Sequence, residues 1–160
     1  MQRGSMNTYE QKLKQYLQSE KISAEHLSFA QSCHSVAEAA RAVKGSPDEF
    51  VKNVCLVDNK GNLVVAIVKG EDRVDRKKVA RVLQVERVRM ATAQEILERT
   101  GYPCGGTPSF GFRAVFFIDE RVMEKHVVYT GGGSEQSLVR IAPEELQRVN
   151  KGRVVDVRVD

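Results

Sequence analysis

Three short stretches carry residue types that could build a binding site. The first is Gly101-Tyr102-Pro103-Cys104-Gly105-Gly106-Thr107-Pro108-Ser109-Phe110-Gly111, with four glycines and two prolines. Glycines let the main chain approach a ligand closely and prolines fix a loop's shape, so free amides can be held toward a carbonyl or phosphate oxygen. The second is Tyr129-Thr130-Gly131-Gly132-Gly133-Ser134, which follows an apolar run and can form the facing wall of the same pocket. The third is Lys52, at the start of a run of apolar residues, with Val54 and Leu56 on its own face by the two-residue period of a strand. A partly sheltered ammonium in that place binds a phosphate, a carbonyl or a ribose hydroxyl. Each stretch also has a plain structural reading: a surface turn, a glycine hairpin, and a lysine reaching from a strand end into water.

Other chemistries find less support. Neither loop ends in Gly-Lys-Ser/Thr, and Gln136 stands where a dinucleotide fingerprint needs its third glycine. No G-x-S-x-G elbow is present for a serine hydrolase. Cys33 and His34 are adjacent, so in an extended chain they face opposite ways and do not pair as nucleophile and base. His26, His34 and His126 lack metal-ligand spacing, and Cys33, Cys55 and Cys104 form neither a disulfide framework nor a CxxC zinc site. Asp119-Glu120 reads as a helix start rather than a catalytic pair. No metal and no cofactor is expected.

The 160 residues, 41% of them hydrophobic, suit one domain with one sizeable core. No apolar run has the length of a membrane span or secretory signal, so a soluble, cytoplasmic protein without membrane partners is expected. Residues 1–6, Met1-Gln2-Arg3-Gly4-Ser5-Met6, read as an expression remnant ahead of a domain over residues 7–160. Between Lys69 and Arg89 eight basic residues stand against four acidic ones, an excess equal to the +4 of the whole chain. Within that segment Arg73, Lys77, Lys78 and Arg81 are candidates for RNA phosphates; the alternative is a solvated helix face.

The elements that must position these residues follow from periodicity and capping. Tyr9, Leu13, Tyr16 and Leu17 mark a first helix. Leu27 to Ala30 reads as a short strand, and the capping box Ser35 to Glu38 opens a second helix to about Val43. Ser46-Pro47-Asp48-Glu49 supplies a single turn. Val51–Val57 and Leu63–Val68 form a hairpin buried on both faces, joined by turn residues from Asp58 to Asn62. A basic helix is expected over Asp75–Leu83, a strand over Val85–Arg89, and a helix capped by Thr92 and Glu95 and stopped by Gly101. Strands follow at Ala114–Ile118, Val127–Tyr129 and Leu138–Ile141, then a helix from Pro143 and a closing strand over Val154–Val159. About seven strands interspersed irregularly with five helices, one connection being a tight hairpin, specify an α+β fold with a mixed sheet.

The order Val36-Ala37-Glu38-Ala39-Ala40, Phe50-Val51-Lys52-Asn53, Gly101-x-x-x-Gly105-Gly106-x-Pro108-x-x-Gly111, Phe117-Ile118-Asp119-Glu120, Gly131-Gly132-Gly133 and Pro143-Glu144-Glu145-Leu146 resembles the YbaK/ProX-like aminoacyl-tRNA deacylases. These are freestanding relatives of the editing insertion in bacterial prolyl-tRNA synthetase. The resemblance spans about residues 27 to 157 and implies a curled mixed sheet or barrel-like core ringed by helices. It implies a site that hydrolyses the ester between a small mischarged amino acid and the terminal adenosine of tRNA. Lys52 corresponds to the family's functional lysine. Gly105, Gly106, Thr107, Pro108 and Ser109 correspond to the loop that positions the aminoacyl carbonyl. Gly101, Phe110, Gly111, Gly131, Gly132, Gly133 and Ser134 complete the substrate-binding walls. Family members use neither metal nor side-chain nucleophile, water being activated with help from the substrate's ribose hydroxyl.

One position departs from the family pattern. Proline comes one place early, at Pro108, and Ser109 occupies the usual proline position, where a hydroxyl would add a hydrogen bond inside the pocket. The partners implied are mischarged aminoacyl-tRNA and, beside it, an aminoacyl-tRNA synthetase; the oligomeric state stays open. A non-catalytic tRNA- or nucleotide-binding module of the same fold is the alternative.

Overall fold

The strand Leu63 to Lys69 is the centre of the molecule, because both of its faces are covered. Leu63, Val65 and Ile67 face one core, while Val64, Ala66 and Val68 face another, and all six are buried. Fully burying a valine, leucine or isoleucine side chain contributes roughly 1.5–3 kcal/mol each, so this strand anchors both layers. The protein is seen in a computed structural model that describes residues 8–30 and 36–160. The expected remnant at 1–6, the Cys33–His34 pair and the Ser35 cap lie outside the described residues.

The elements run α1 (Thr8–Ser19), β1 (Ala24–Ser28), α2 (Val36–Val43), a 3-10 turn (Pro47–Glu49), β2 (Val51–Asp58), β3 (Leu63–Lys69), α3 (Arg76–Leu83), β4 (Val88–Met90) and α4 (Ala93–Thr100). They continue with β5 (Val115–Ile118), a second 3-10 turn (Val122–Glu124), β6 (Val128–Gly131), β7 (Ser137–Ile141), α5 (Pro143–Asn150) and β8 (Arg153–Val154). Local chemistry sets most boundaries. The Asp75 carboxylate accepts from the Lys77 and Lys78 amides at the head of α3. Thr92 and Glu95 exchange side-chain and backbone bonds at the head of α4, and Gly101, at φ +80°, closes that helix in the left-handed region.

Two sheets result. Five strands lie in the order β4-β2-β3-β5-β8, antiparallel from β4 to β3 and parallel from β3 to β8. Three antiparallel strands lie in the order β1-β7-β6. The main core packs α1, α4 and α5 onto one face of the larger sheet and onto β6 and β7, while α3 and Val157 cover the larger sheet's other face. The mixed α+β architecture is as expected. The barrel-like core takes the form of two sheets joined at the bridge between Phe50 and Tyr129 rather than a closed barrel.

Three boundaries differ from expectation. β1 starts at Ala24, because its partner β7 sets the register from Ala24 opposite Ile141 to Ser28 opposite Ser137. β4 starts only at Val88, because the Asn59 side-chain oxygen takes the amides of Glu86 and Arg87. The closing strand shrinks to β8. Beyond it the fully buried Asp119 accepts from the Val157 amide at 3.0 Å and from the Arg158 guanidinium at 3.1 Å. Asp119 also accepts from the Arg121 amide ahead of the second 3-10 turn, so it clamps a turn and the C-terminal segment together. No helix among the described residues is long and apolar enough to cross a membrane.

Candidate active site

At the bridge between the sheets, the Phe50 and Tyr129 rings stack 4.8 Å apart with 18° between their planes. The residues that follow them, Val51 to Asn53 and Thr130 to Gly131, line a cavity of about 340 Å³. Gly105 and Thr107 of the first loop, Ser134 of the second and Ser137 at the start of β7 complete its polar wall, with Ala39, Ile96, Cys104 and Leu138 beside them. The three stretches singled out in the sequence therefore converge. Lys52 is half-buried and is the only charged side chain on the wall among the described residues. It makes no ion pair or hydrogen bond with any described residue.

The glycines bring the loops onto each other. A methyl group added to Gly131 would overlap the Thr107 carbonyl, and one added to Gly106 would stand 2.5 Å from the Ser134 nitrogen. The Gly133 amide donates to the Gly106 carbonyl at 2.8 Å, locking this backbone-on-backbone contact. Pro108, Ser109 and Phe110 are buried behind the wall, and the Phe110 ring stacks on Tyr16. Gly101 caps α4 and Gly111 packs beside Tyr16 and Tyr102. Gly101, Phe110 and Gly111 thus lie off the cavity and shape the ends of the first loop, as Gly132 and Gly133 shape the second.

A family model for the aminoacyl-tRNA editing domain matches residues 30–149. The chain belongs to the aminoacyl-tRNA editing domain family. It is 27% identical over 128 residues to Enterococcus faecalis EbsC, a candidate Cys-tRNA(Pro)/Cys-tRNA(Cys) deacylase by name, covering 79% of this chain and 76% of that one. It is 32% identical over 71 residues to the proline-tRNA ligase of Kosmotoga olearia, 44% of this chain but 12% of the ligase. The solved structure of a candidate trans-editing enzyme for prolyl tRNA synthetase superposes with a TM-score of 0.90 at 26% identity, over 98% of this chain and 100% of that one.

Several residues that hold the editing-domain cavity are not conspicuous in the sequence. Asn53 donates from its amide to the Thr107 carbonyl and to the Thr130 hydroxyl, both at 2.9 Å. Ser109 is fully buried, and its hydroxyl donates to the Asn53 amide oxygen at 2.6 Å and meets Thr130 at 2.7 Å, so it supports the wall from behind. Asn53 carried the same signal as Lys52, a polar side chain in an apolar strand. The second loop is held by residues that precede the editing-domain match. His26 donates from Nε2 to the Gly132 carbonyl at 2.8 Å. Buried Glu10 accepts from Ser28 at 2.7 Å and from Ser134 at 2.6 Å. Glu10 looked like an ordinary acid in the first turn of a helix.

Electrostatics separate the remaining candidates. Burial, and secondarily Cys104, pushes the Cys55 thiol up to about 12, so it stays protonated at neutral pH, whereas Cys104 is exposed on the cavity rim. In the basic segment Lys78 is tied to Asp156 and Asp160 at 3.1 and 2.7 Å, and Arg89 to Glu95. Arg73, Lys77 and Arg81 are exposed and form no ion pair with the described residues, as does Arg76 beside them. The four positions proposed from sequence for RNA therefore divide into three free cations and one committed lysine.

Proposed function

We propose that this chain is an aminoacyl-tRNA deacylase that removes a small, wrongly attached amino acid, with the seam cavity as its site. The reading rests on one observation above all: an editing-domain cavity whose sole charged wall residue among those described is an unpaired, half-buried lysine. Lys52 would bind the phosphate or ribose of the terminal nucleotide. The amides of Gly105 and Thr107, the first-loop residues on the wall, would hold the ester carbonyl as negative charge develops there. Water adds to the carbonyl carbon, the bond to the ribose oxygen breaks, and that oxygen takes up the proton, the neighbouring ribose hydroxyl assisting. A cavity of about 340 Å³ has room for an aminoacyl group.

Arg73, Lys77 and Arg81 would meet the tRNA backbone, giving affinity that falls steeply with salt. The enzyme would act in the cytoplasm on tRNA already released from a synthetase, a reading supported by the likeness to a candidate trans-editing enzyme for prolyl tRNA synthetase. A panel of Ala-, Ser-, Cys- and Thr-tRNA tests the proposal. Wild type should hydrolyse at least one, and Lys52→Ala should lower kcat/KM about 100-fold, as loss of an electrostatic donor does, with an unchanged melting temperature. Hydrolysis of none, with tRNA affinity intact, would replace the enzyme by a binding module.

A further inference from the structure

Two threonines and two serines line the cavity: Thr107, Thr130, Ser134 and Ser137. A hydroxyl carries one proton and two lone pairs, and an amide oxygen only accepts, so the bonds fix where each proton lies. Thr107 donates to the Pro103 carbonyl at 3.0 Å. Ser109 must donate to the Asn53 amide oxygen, which leaves Thr130 as the donor in the contact with Ser109. Asn53 closes the circuit by donating to Thr130, giving a ring in which every bond points the same way round. The second amide proton of Asn53 goes to the Thr107 carbonyl.

The facing wall repeats the pattern with Glu10 as terminus. Glu10 accepts the Ser134 proton at 2.6 Å. Ser137 then donates to the Ser134 hydroxyl at 2.8 Å or to its carbonyl at 3.4 Å, inside the loop in either case. All four hydroxyl protons on the wall are thus committed to the protein. The Ser134 hydroxyl also accepts from the Gln136 amide and the Ser137 hydroxyl from the Ser134 amide, both at 3.1 Å, so the acceptors left for a ligand lie mainly on Thr107 and Thr130.

We propose that Ser109 and Glu10, neither of which lines the cavity, set its selectivity by holding these protons inward. The walls they leave accept hydrogen bonds and favour an amino acid whose side chain ends in a donor, a hydroxyl or thiol, over an apolar one of equal size. This rests on the deacylase reading for its site, and it adds residues behind the wall as positioning residues for specificity.

The decisive comparison is seryl-tRNA against 2-aminobutyryl-tRNA, in which a methyl replaces the hydroxyl and the α-ammonium is unchanged. Wild type should prefer the seryl ester about tenfold in kcat/KM, the equivalent of one net hydrogen bond. Ser109→Ala frees the Thr130 proton to turn into the cavity and should bring the preference to within about twofold. Thr130→Val should do the same at nearly unchanged size, whereas Thr130→Ser, which keeps the ring, should recover the preference. Glu10→Ala, which removes the acceptor of the Ser134 proton, should shift it in the same direction as Ser109→Ala. A preference ratio between two esters is not moved by mere loss of folded protein, so a structural role alone would leave it intact. Equal rates in wild type, or a tenfold preference surviving both Ser109→Ala and Thr130→Val, would overturn the proposal. If wild type hydrolyses neither ester, the deacylase reading fails separately. The affinities of the stable 3′-amide analogues of seryl- and 2-aminobutyryl-adenosine then decide: a seryl preference lost in Ser109→Ala supports the proposal, and equal affinities overturn it.

Discussion

The two glycine loops touch along their backbones, yet they are held from different parts of the chain. The first is fixed by Asn53 on β2 and by Asn150, which donates to the Ser109 carbonyl at 2.9 Å from the end of α5. The second is fixed by His26 on β1 and by Glu10 on α1, and Gly133 packs against the main chain of Tyr9 and Glu10. Asn53 lies inside the segment that defines the editing-domain family and Asn150 one residue past it, whereas His26, Glu10 and Tyr9 precede it. One wall of the cavity is therefore set by residues within or next to the matched segment and the other by residues that precede it.

The largest disruption should come from the contact itself. Gly131→Ala places a methyl on the Thr107 carbonyl, and overpacking of this kind costs about 1–3 kcal/mol. Because backbone has to move, both walls shift, and thermal unfolding should show a lowered melting temperature together with lost deacylation. Glu10→Ala should separate the two walls. It removes two hydrogen bonds to a carboxylate, from exposed Ser28 and half-buried Ser134, at a cost of about 1.5–3 kcal/mol. Hydrogen exchange should accelerate at amides 133–137 and not at 105–109.

The smallest effect should be that of pH through His26. Its pKa is lowered, chiefly by burial, with Lys14 acting in the same sense and the Gly132 carbonyl and Glu10 opposing. The unfolded chain then binds the proton more readily than the folded one. The stability tied to neutral His26 is present above the ordinary histidine range and declines as pH falls below about 6.5. Chemical denaturation at about pH 7.5 and 5.5 should show that decline, and His26→Gln should flatten it.

Much of this arrangement was legible in the sequence where the cause is local. The Thr92 to Glu95 capping box, the Gly101 stop and the Asp58 to Asn62 turn all depend on neighbours a few residues away, and each forms as expected. The convergence of Lys52 with the loops was implied by resemblance to a known family, since no spacing rule brings residues 52, 107 and 131 together. What stayed hidden depends on distant partners. A glycine that admits another backbone looks the same as one that admits a ligand, so the role of Gly131 waited on the position of Thr107. Ser109 was expected to face the pocket and instead stands behind Asn53, a difference that only the strand opposite could decide. Val154 to Val159 alternates like a strand, but the Val157 amide goes to the buried Asp119, and the segment's pairing is limited to a bridge at Arg158 with Val74.

The stacked rings of Phe50 and Tyr129 act as a calliper for the cavity. Phe50 stands two residues before Lys52 and Tyr129 one before Thr130, so the 4.8 Å between the rings sets the span from the cationic wall to the hydroxyl wall. The hydrogen bond from Asn53 to Thr130 ties the same two sheets together beside that ring pair. The gauge of the site is thus written in two aromatic side chains that are also part of its lining.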